Sequence, residues 1–361
     1  MIIIVFIIGI VWIGWNVLQM PRMKLAPHSL PSVSICIPLR NVEGRVPGLI
    51  SNLKKLQYER LEILLYDDAS DDLTVPIVER LIKGDCRFTL WRGGDLPVGW
   101  KGKPHACYQL ATKANGQFLL FIDPNVDLSV HSIDACVATM MRRKCDALSG
   151  VPKFINKSYL EKLLTPLFHF TVYMHLPIRL ANLQHNSKAS VACGTFICVK
   201  KQAYVDTGGH LLVKDTEVDD LKLFRELKKY GYKAMLFHVA DFVQFTMYRS
   251  SREKWERLSK YCFAAFGYSY VISTGVLIFY ATYYVSPLLF AFYGLYVMRW
   301  TYFIPYICIT IQRMVSDVQA RQLNRFSLLM PISAACYCAL LLWAMIKRLR
   351  KRETAWKGRV L

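Results

Sequence analysis

Seven short, continuously apolar runs recur between residues 31 and 250: SVSICIP (32 to 38), LEILLYD (61 to 67), FTLWR (88 to 92), FLLFID (118 to 123), DALSGVP (146 to 152), FICVK (196 to 200) and KAMLFHV (233 to 239). They have the length of strands rather than of helices, and most are bounded by turn-forming or charged residues. Between most of them lie stretches with helical spacing, such as Val46, Leu49, Ile50 and Leu53, and later Leu221, Leu223, Phe224 and Leu227. Apolar strands separated by helices predict an α/β domain whose mainly parallel sheet is covered on both faces.

The polar residues collect where these runs end. SICIP is followed by LRNVEGR, LLYD by DASDD, LWR by GGDLPVGWKGK, and FLLFI by DPNVD. In parallel α/β sheets ligands bind beyond the carboxyl ends of the strands, so four charged ends converge on one crevice. Neither GxGxxG nor GxxxxGK[ST] occurs, which argues against a nicotinamide enzyme or a Walker-type ATPase. Asp-rich strand ends with Lys and Arg nearby suit a metal-bridged diphosphate. Locally, DPNVD (123 to 127) is also a standard type I turn, with Asp before Pro and Asn after it.

The flanks of this domain are apolar. Of the 361 residues, 53% are hydrophobic and 13% aromatic, more than a typical soluble domain carries. Residues 2 to 18 are apolar apart from Asn16, lack the basic start and cleavage site of a signal peptide, and approach the ~20 residues that span a bilayer. Arg22 and Lys24 follow, so the positive-inside rule puts the domain in the cytoplasm of a multi-pass cell-membrane protein. Apolar stretches between 263 and 311 and from 326 to 346 predict two or three further spans, with Arg299 deep in the second and therefore facing protein or water. A cytoplasmic domain and tail require an even number of C-terminal crossings. Either 326 to 346, interrupted by Pro331, lies in the interface, or 263 to 311 is not two full spans.

The expected division is an anchor at 1–20, the domain at 31–250, an amphipathic interfacial segment at 251–265, a transmembrane region at 266–346 and a basic tail at 347–361. Net charge is +20, and the tail KRLRKRETAWKGR reads as contact with anionic lipid headgroups. No nucleic-acid-binding motif accompanies the charge, so nucleic acid is not an expected partner. Eleven cysteines include no CxxC pair, which fits buried free thiols in a reducing compartment.

Taken together, the motifs resemble family 2 glycosyltransferases. VSICIPLRNVEGR looks like their opening strand, LEILLYDDASDD like their second strand with its Asp-Asp-x-Ser signature, and DLPVGWKGKPHACYQLA like the W-x-G-K-x-x-A segment of a membrane-anchored subgroup. FLLFIDPNVDL sits where that family carries Asp-x-Asp, and GTFICVKKQAYVDTGGH resembles its acceptor-side strand and turn. EVDDLKLFRELKKYGYK is similar to its Glu-Asp helix, MYRSSREKWERLSK to its Q/R-x-x-R-W segment, and AWKGR to the subgroup's terminal W-K-G-R. The subgroup includes carotenoid-acid (diaponeurosporenoate-type) glycosyltransferases, with ceramide glucosyltransferase a more distant relative. The resemblance implies a Rossmann-like GT-A fold, a nucleotide-diphosphate sugar donor with UDP the expected nucleotide, Mg2+ or Mn2+, and inversion at the anomeric carbon.

Carried onto this chain, the resemblance makes Asp220 the catalytic base, and puts Asp67 and Asp68 at the nucleotide, with Lys103, Asp123, Asp219, Lys254 and Arg257 also on the donor. Each has a plainer reading beside it. Asp67 and Asp68 suit an Asx turn capping a helix near Leu73, Lys103 a solvated loop lysine, Asp220 a helix N-terminal carboxylate, and residues 252 to 266 an amphipathic helix on the membrane. Asp219 stands where the subgroup more often has Glu, and Leu258 where the element has Trp. Asn125 replaces the second carboxylate of Asp-x-Asp. Because alternate residues of an extended segment point the same way, Asp123, Asn125 and Asp127 are the expected metal ligands, with weaker affinity for the cation.

The function expected is transfer of a hexose from the nucleotide sugar to a lipid-embedded or isoprenoid-type acceptor. The alternatives are a processive polysaccharide synthase on the same fold and a non-catalytic binding protein on a degenerate one.

Overall fold

A computed structural model describes residues 2–26, 31–183, 187, 190–216, 218–246, 255, 258–259, 262–263, 266–350, 355–356 and 359–360. Lys254 and Arg257 lie outside the described residues.

The first helix, α1 (Ile2–Gln19), leads into the domain, where strands and helices alternate: β1 (Val33–Leu39), α2 (Val46–Lys54), β2 (Leu61–Asp67), α3 (Thr74–Ile82), β3 (Phe88–Arg92), α4 (Gly102–Lys113) and β4 (Phe118–Ile122). There follow β5 (Val126–Leu128), α5 (Ser132–Arg143), β6 (Ala147–Ser149), β7 (Lys153–Ile155), α6 (Tyr159–Leu164), α7 (Pro166–His175) and α8 (Ile178–Ala181). The domain ends with β8 (Phe196–Lys200), α9 (Lys201–Asp206), α10 (Asp219–Lys229), β9 (Ala234–Leu236) and β10 (Val243–Thr246).

The seven apolar runs of the sequence all enter one seven-stranded sheet, in the order β3-β2-β1-β4-β8-β6-β9. Strands β3, β2, β1 and β4 are mutually parallel, with Val33 paired to both Leu61 and Phe118. β8 runs against both β4 and β6, while β6 and β9 are parallel. Strand order reverses between β1 and β4, the position at which α/β sheets open a crevice at their carboxyl edge. Because β8 is antiparallel, the residues that precede it, Cys193 to Thr195, are delivered to that same edge beside Asp123, whose N–H donates to the Thr195 carbonyl at 3.4 Å.

Period-two alternation fills both faces of the sheet. Ile35, Ile37, Ile63, Leu65 and Leu120 lie in one core with α2 and α5, and Cys36, Leu64, Leu119 and Phe121 lie in another with α4 and α10. Three short strands unannounced by any apolar run, β5, β10 and β7, form a second small sheet in that order.

A third apolar core joins α1 and α7 to the C-terminal helices. Among the described residues two helices, Tyr270–Tyr296 and Met330–Leu349, are long and apolar enough to cross a membrane. The first contains a π-helical turn at Ala281–Val285. The apolar stretch after it is not one helix: the chain turns at Met298, which has a φ of 52°, and Arg299 lies exposed in that turn instead of deep within a span. The intervening helix Ile304–Gln319 buries Gln312, Arg313, Ser316 and Asp317, with Arg313 Nε 2.8 Å from Asp317 Oδ2.

Along α1, Phe6, Gly9, Ile13, Asn16 and Met20 form the buried stripe, at helical spacing, while Ile4, Ile8, Val11 and Leu18 are exposed on the rest of its surface. Gly9 is needed for close approach: a Cβ there would run into Tyr283 Oη and Gln312 Nε2. Gly9→Leu therefore overpacks this contact and is expected to cost about 1–3 kcal/mol, read as a lower melting temperature in detergent.

Candidate active site

The carboxyl edge of β4 is built around a turn. Val126 N–H donates to the Asp123 carbonyl at 3.0 Å, closing the four-residue turn Asp-Pro-Asn-Val that the sequence expects, and β5 begins at once. Asp123, Asn125 and Asp127 are half-buried, whereas Pro124, Val126 and Leu128 between them are buried, so the expected alternation is present. The two carboxylates nevertheless go to different cations. Asp123 Oδ1 lies 3.1 Å from Lys103 Nζ, and Asp127 Oδ1 accepts from Arg45 Nη2 at 2.6 Å. Arg45 also donates from Nε to the Pro124 carbonyl at 2.9 Å, so it braces the whole turn.

Lys103 occupies the first turn of α4, where the helix dipole disfavours a cation. Its position is set by what it touches: besides Asp123, its Nζ donates to the Gly194 carbonyl at 3.2 Å. The N–H of the same residue, Gly194, donates to Asp220 Oδ2 at 2.6 Å. Gly194 thus joins Lys103 and Asp220 through its own backbone. A Cβ there would sit 3.0 Å from Asp220 Oδ2 and 3.0 Å from Lys103 Nζ.

Asp220 is the second residue of α10, and its Oδ1 accepts the N–H of Leu221 at 2.8 Å. Burial pushes its carboxyl up from the ordinary 3.8 to about 6, with the neighbouring Asp219 adding to the rise and Lys103 opposing it. Asp219 is buried, and its Oδ2 lies 3.8 Å from His210 Nε2. Burial and Lys103 together push His210 down to about 3, so it is neutral. Tyr204 Oη accepts the His210 backbone N–H at 3.1 Å and lies 2.8 Å from Nδ1, to which its single hydrogen is free to donate. That assignment leaves the Nε2 proton facing Asp219.

Asp67 and Asp68 stand at the end of β2, both buried. Both Asp67 carboxylate oxygens are held by Ser70, Oδ1 from the hydroxyl at 2.5 Å and Oδ2 from the backbone N–H at 3.0 Å, while at the start of α3 it is Asp72 Oδ1, not Asp67 or Asp68, that accepts the Thr74 N–H, at 2.9 Å. Arg40 secures the turn by donating to the carbonyls of Asp68 and Ala69, and Ala69 has a left-handed φ of 54°. An aromatic link runs from there toward Lys103, since His105 on α4 meets Tyr66 edge-on at 6.1 Å and Trp100 at 5.3 Å.

The structure therefore brings Lys103, Asp123 and Asp220 together, with Asp219 adjoining. It sets Asp67 and Asp68 at a neighbouring strand end and ties Asp127 to Arg45. Leu258 is buried among the apolar helices with Cys262 and Phe263. Gly194, His210 and Arg45 were not singled out in the sequence. Only the Gly before the strand FICVK offered a local signal, a residue without a side chain where backbone approach is close.

Among the described residues, no group of three or more His, Cys, Asp or Glu side chains is placed to hold a metal ion. Asp123 is paired with Lys103 and Asp127 with Arg45, so beside the amide oxygen of Asn125 these residues offer a hard cation few ligands, and most of its shell would come from substrate phosphates and water.

Gly194→Ala is expected to lower turnover by about 10- to 100-fold through displacement of Lys103 and Asp220, with little change in melting temperature, because the added methyl meets side-chain ends. Rate and thermal melting measured on the same preparation check it.

Comparison with known proteins bears on the fold and the family. A mannosyltransferase from Pyrobaculum calidifontis, solved in complex with GDP-Man and Mn2+, superposes with a TM-score of 0.56 at 16% identity, over 97% of each chain. That likeness gives this chain a GT-A-like fold. A 4,4'-diaponeurosporenoate glycosyltransferase of Staphylococcus haemolyticus is 26% identical over 230 residues, 63% of this chain and 60% of the relative. One of Staphylococcus aureus is 24% identical over 242 residues, 65% of this chain and 63% of the relative. The chain thus spans less than two thirds of the length of these curated relatives. The family model "Glycosyl transferase family 21" matches residues 1–361, strand ends and apolar helices included, and the chain belongs to that family.

Proposed function

We propose that the protein is a membrane-bound inverting glycosyltransferase, transferring a hexose from a UDP-linked donor to a hydroxyl or carboxyl group of a lipid or isoprenoid-type acceptor. The observation that carries this reading is Asp220, a carboxylate pushed up to about 6 and held across Gly194 from a lysine at a helix N-terminus. A base near the working pH takes the acceptor proton as the nucleotide diphosphate departs. Lys103 and the N-terminal amides of α4 offer the departing diphosphate a positive site. Asp67 and Asp68 are assigned to the nucleotide, with Asp219 beside the base and Lys254 and Arg257 on the diphosphate.

Asp123 and Asn125 would hold a divalent cation, whose charge would neutralise the diphosphate. Asn125→Asp is expected to tighten Mn2+ binding in the presence of UDP. Unchanged affinity in a titration would remove the metal from this position.

The acceptor would arrive from the bilayer. Tyr270–Tyr296 and Met330–Leu349 would supply the even number of C-terminal crossings that a cytoplasmic domain and tail require, with Ile304–Gln319, its polar side chains turned into the protein, lying against them. An apolar cavity of about 540 Å³ between these helices and α7 shares Phe266 and Ile272 with a second, of about 680 Å³, that reaches Val218 and Leu221 beside Asp220. That path would let an apolar chain stay among side chains while its polar end meets the base. The relatives' action on a carotenoid acid, stated in their names, supports an isoprenoid-type acceptor.

Mass spectrometry of lipids from a host expressing the protein tests the reading. One lipid class should gain a hexose, and none should do so with Asp220→Asn. Absence of both sugar transfer and nucleotide binding in membranes holding the protein would refute it.

A further inference from the structure

Where α1 ends, Arg22 bridges to His238 and the chain enters the domain. A cavity of about 600 Å³ opens at this junction. Five cations line it: Arg22 and Lys24 from the linker, Arg142 and Arg143 from the last turn of α5, and Arg179 from α8, with no acidic residue in the lining. Arg22 is answered by Gln319 Oε1 at 2.6 Å and by Asp241 at 3.9 Å. The other four are exposed and, among the described residues, none has a carboxylate within 4.0 Å.

The helix dipole accounts for Arg142 and Arg143 at the C-terminus of α5. It gives no reason for Lys24 and Arg179 to converge on them from other elements. Like charges gathered in one cleft repel, and an anion among them reverses the sign of that interaction. The lining also includes Val17 and Leu18, and Leu18 is 81% exposed. Apolar helix surface meeting a cationic floor matches the two parts of a phospholipid, with chains along α1 and phosphate among the arginines.

We propose that this cleft binds the phosphodiester headgroup of one anionic phospholipid, at a site distinct from the donor crevice. Arg142 and Arg143 precede β6 at the amino edge of the sheet, whereas Asp123 follows β4 at the carboxyl edge. The inference rests on the membrane association proposed above but not on the transfer reaction.

The test uses the full chain reconstituted in phosphatidylcholine vesicles containing a minor fraction of phosphatidylglycerol, re-extracted in mild detergent, with retained lipid counted by native mass spectrometry. Wild type is expected to retain one phosphatidylglycerol. Arg142→Gln with Arg143→Gln should weaken retention by about fivefold per cation removed, Arg179→Gln should do so from a different element, and the paired Lys replacements should preserve it. Equal retention of the two lipids, or retention unaffected by the Gln variants, would overturn the proposal. Displacement by inorganic phosphate as effective as by short-chain phosphatidylglycerol would assign the cleft to free phosphate and overturn the lipid. A chain that floats with pure phosphatidylcholine vesicles yet retains no phosphatidylglycerol refutes the headgroup site alone, whereas one that floats with neither composition refutes the membrane reading as well.

Discussion

Asp220→Asn is expected to lower kcat by about 10²- to 10⁴-fold, the usual contribution of a positioned general base, while UDP-sugar binding stays near the wild-type level. The amide keeps one acceptor oxygen, for the Gly194 or the Leu221 N–H, and cannot take a proton from the acceptor. In the wild type, kcat/KM should fall as the pH drops through about 6, where the carboxylate becomes protonated. A non-catalytic binding protein would lack both effects. Stability should move the other way. The folded state holds this proton up to about 6 and the unfolded state only to about 3.8, so the folded state binds more protons between those values. The Asp220 contribution to stability therefore declines as the pH rises through that window and is constant above it, and Asp220→Asn lacks that contribution. Melting curves of both proteins at pH 4.5 and 7.5 should show the variant gaining relative to wild type at the higher pH.

Lys103→Ala acts on both halves of the reaction. Loss of a charge-assisted contact to the diphosphate, worth roughly 1.5–3 kcal/mol, should weaken donor binding by about 10- to 150-fold. Lys103 also opposes the rise in the Asp220 carboxyl, so its removal should carry the acid limb of the pH profile to higher pH. Isothermal titration with UDP and a pH–rate profile of the residual activity read the two effects separately. A lysine that merely closes an ion pair with Asp123 would leave donor affinity unaltered.

Much of the site was legible because parallel strands announce themselves. β1, β2 and β4 are buried on both faces, so they read as unbroken apolar runs, and the charge at the end of each marks the carboxyl edge, where α/β sheets bind their ligands. Asp67, Asp123 and Asp220 all stand at ends of elements that periodicity located. The second sheet was not legible: β5, β7 and β10 have three or four residues each, too few for an alternating pattern to stand out. Nor was the break at Met298, since aromatic residues on both sides keep the stretch apolar through the turn.

The sequence by itself determined which residues form the sheet, which edge carries charge, and which helices are apolar enough for lipid, because those properties depend on neighbours a few positions away. Only the tertiary structure decided that Arg45 takes Asp127, that Gly194 joins Lys103 to Asp220 across 91 and 26 residues, and that His210 faces Asp219. The Gly194 pairings follow from β8 running antiparallel beside β4, which delivers the Gly194 backbone to the carboxyl edge, and chain direction leaves no trace in local apolar periodicity.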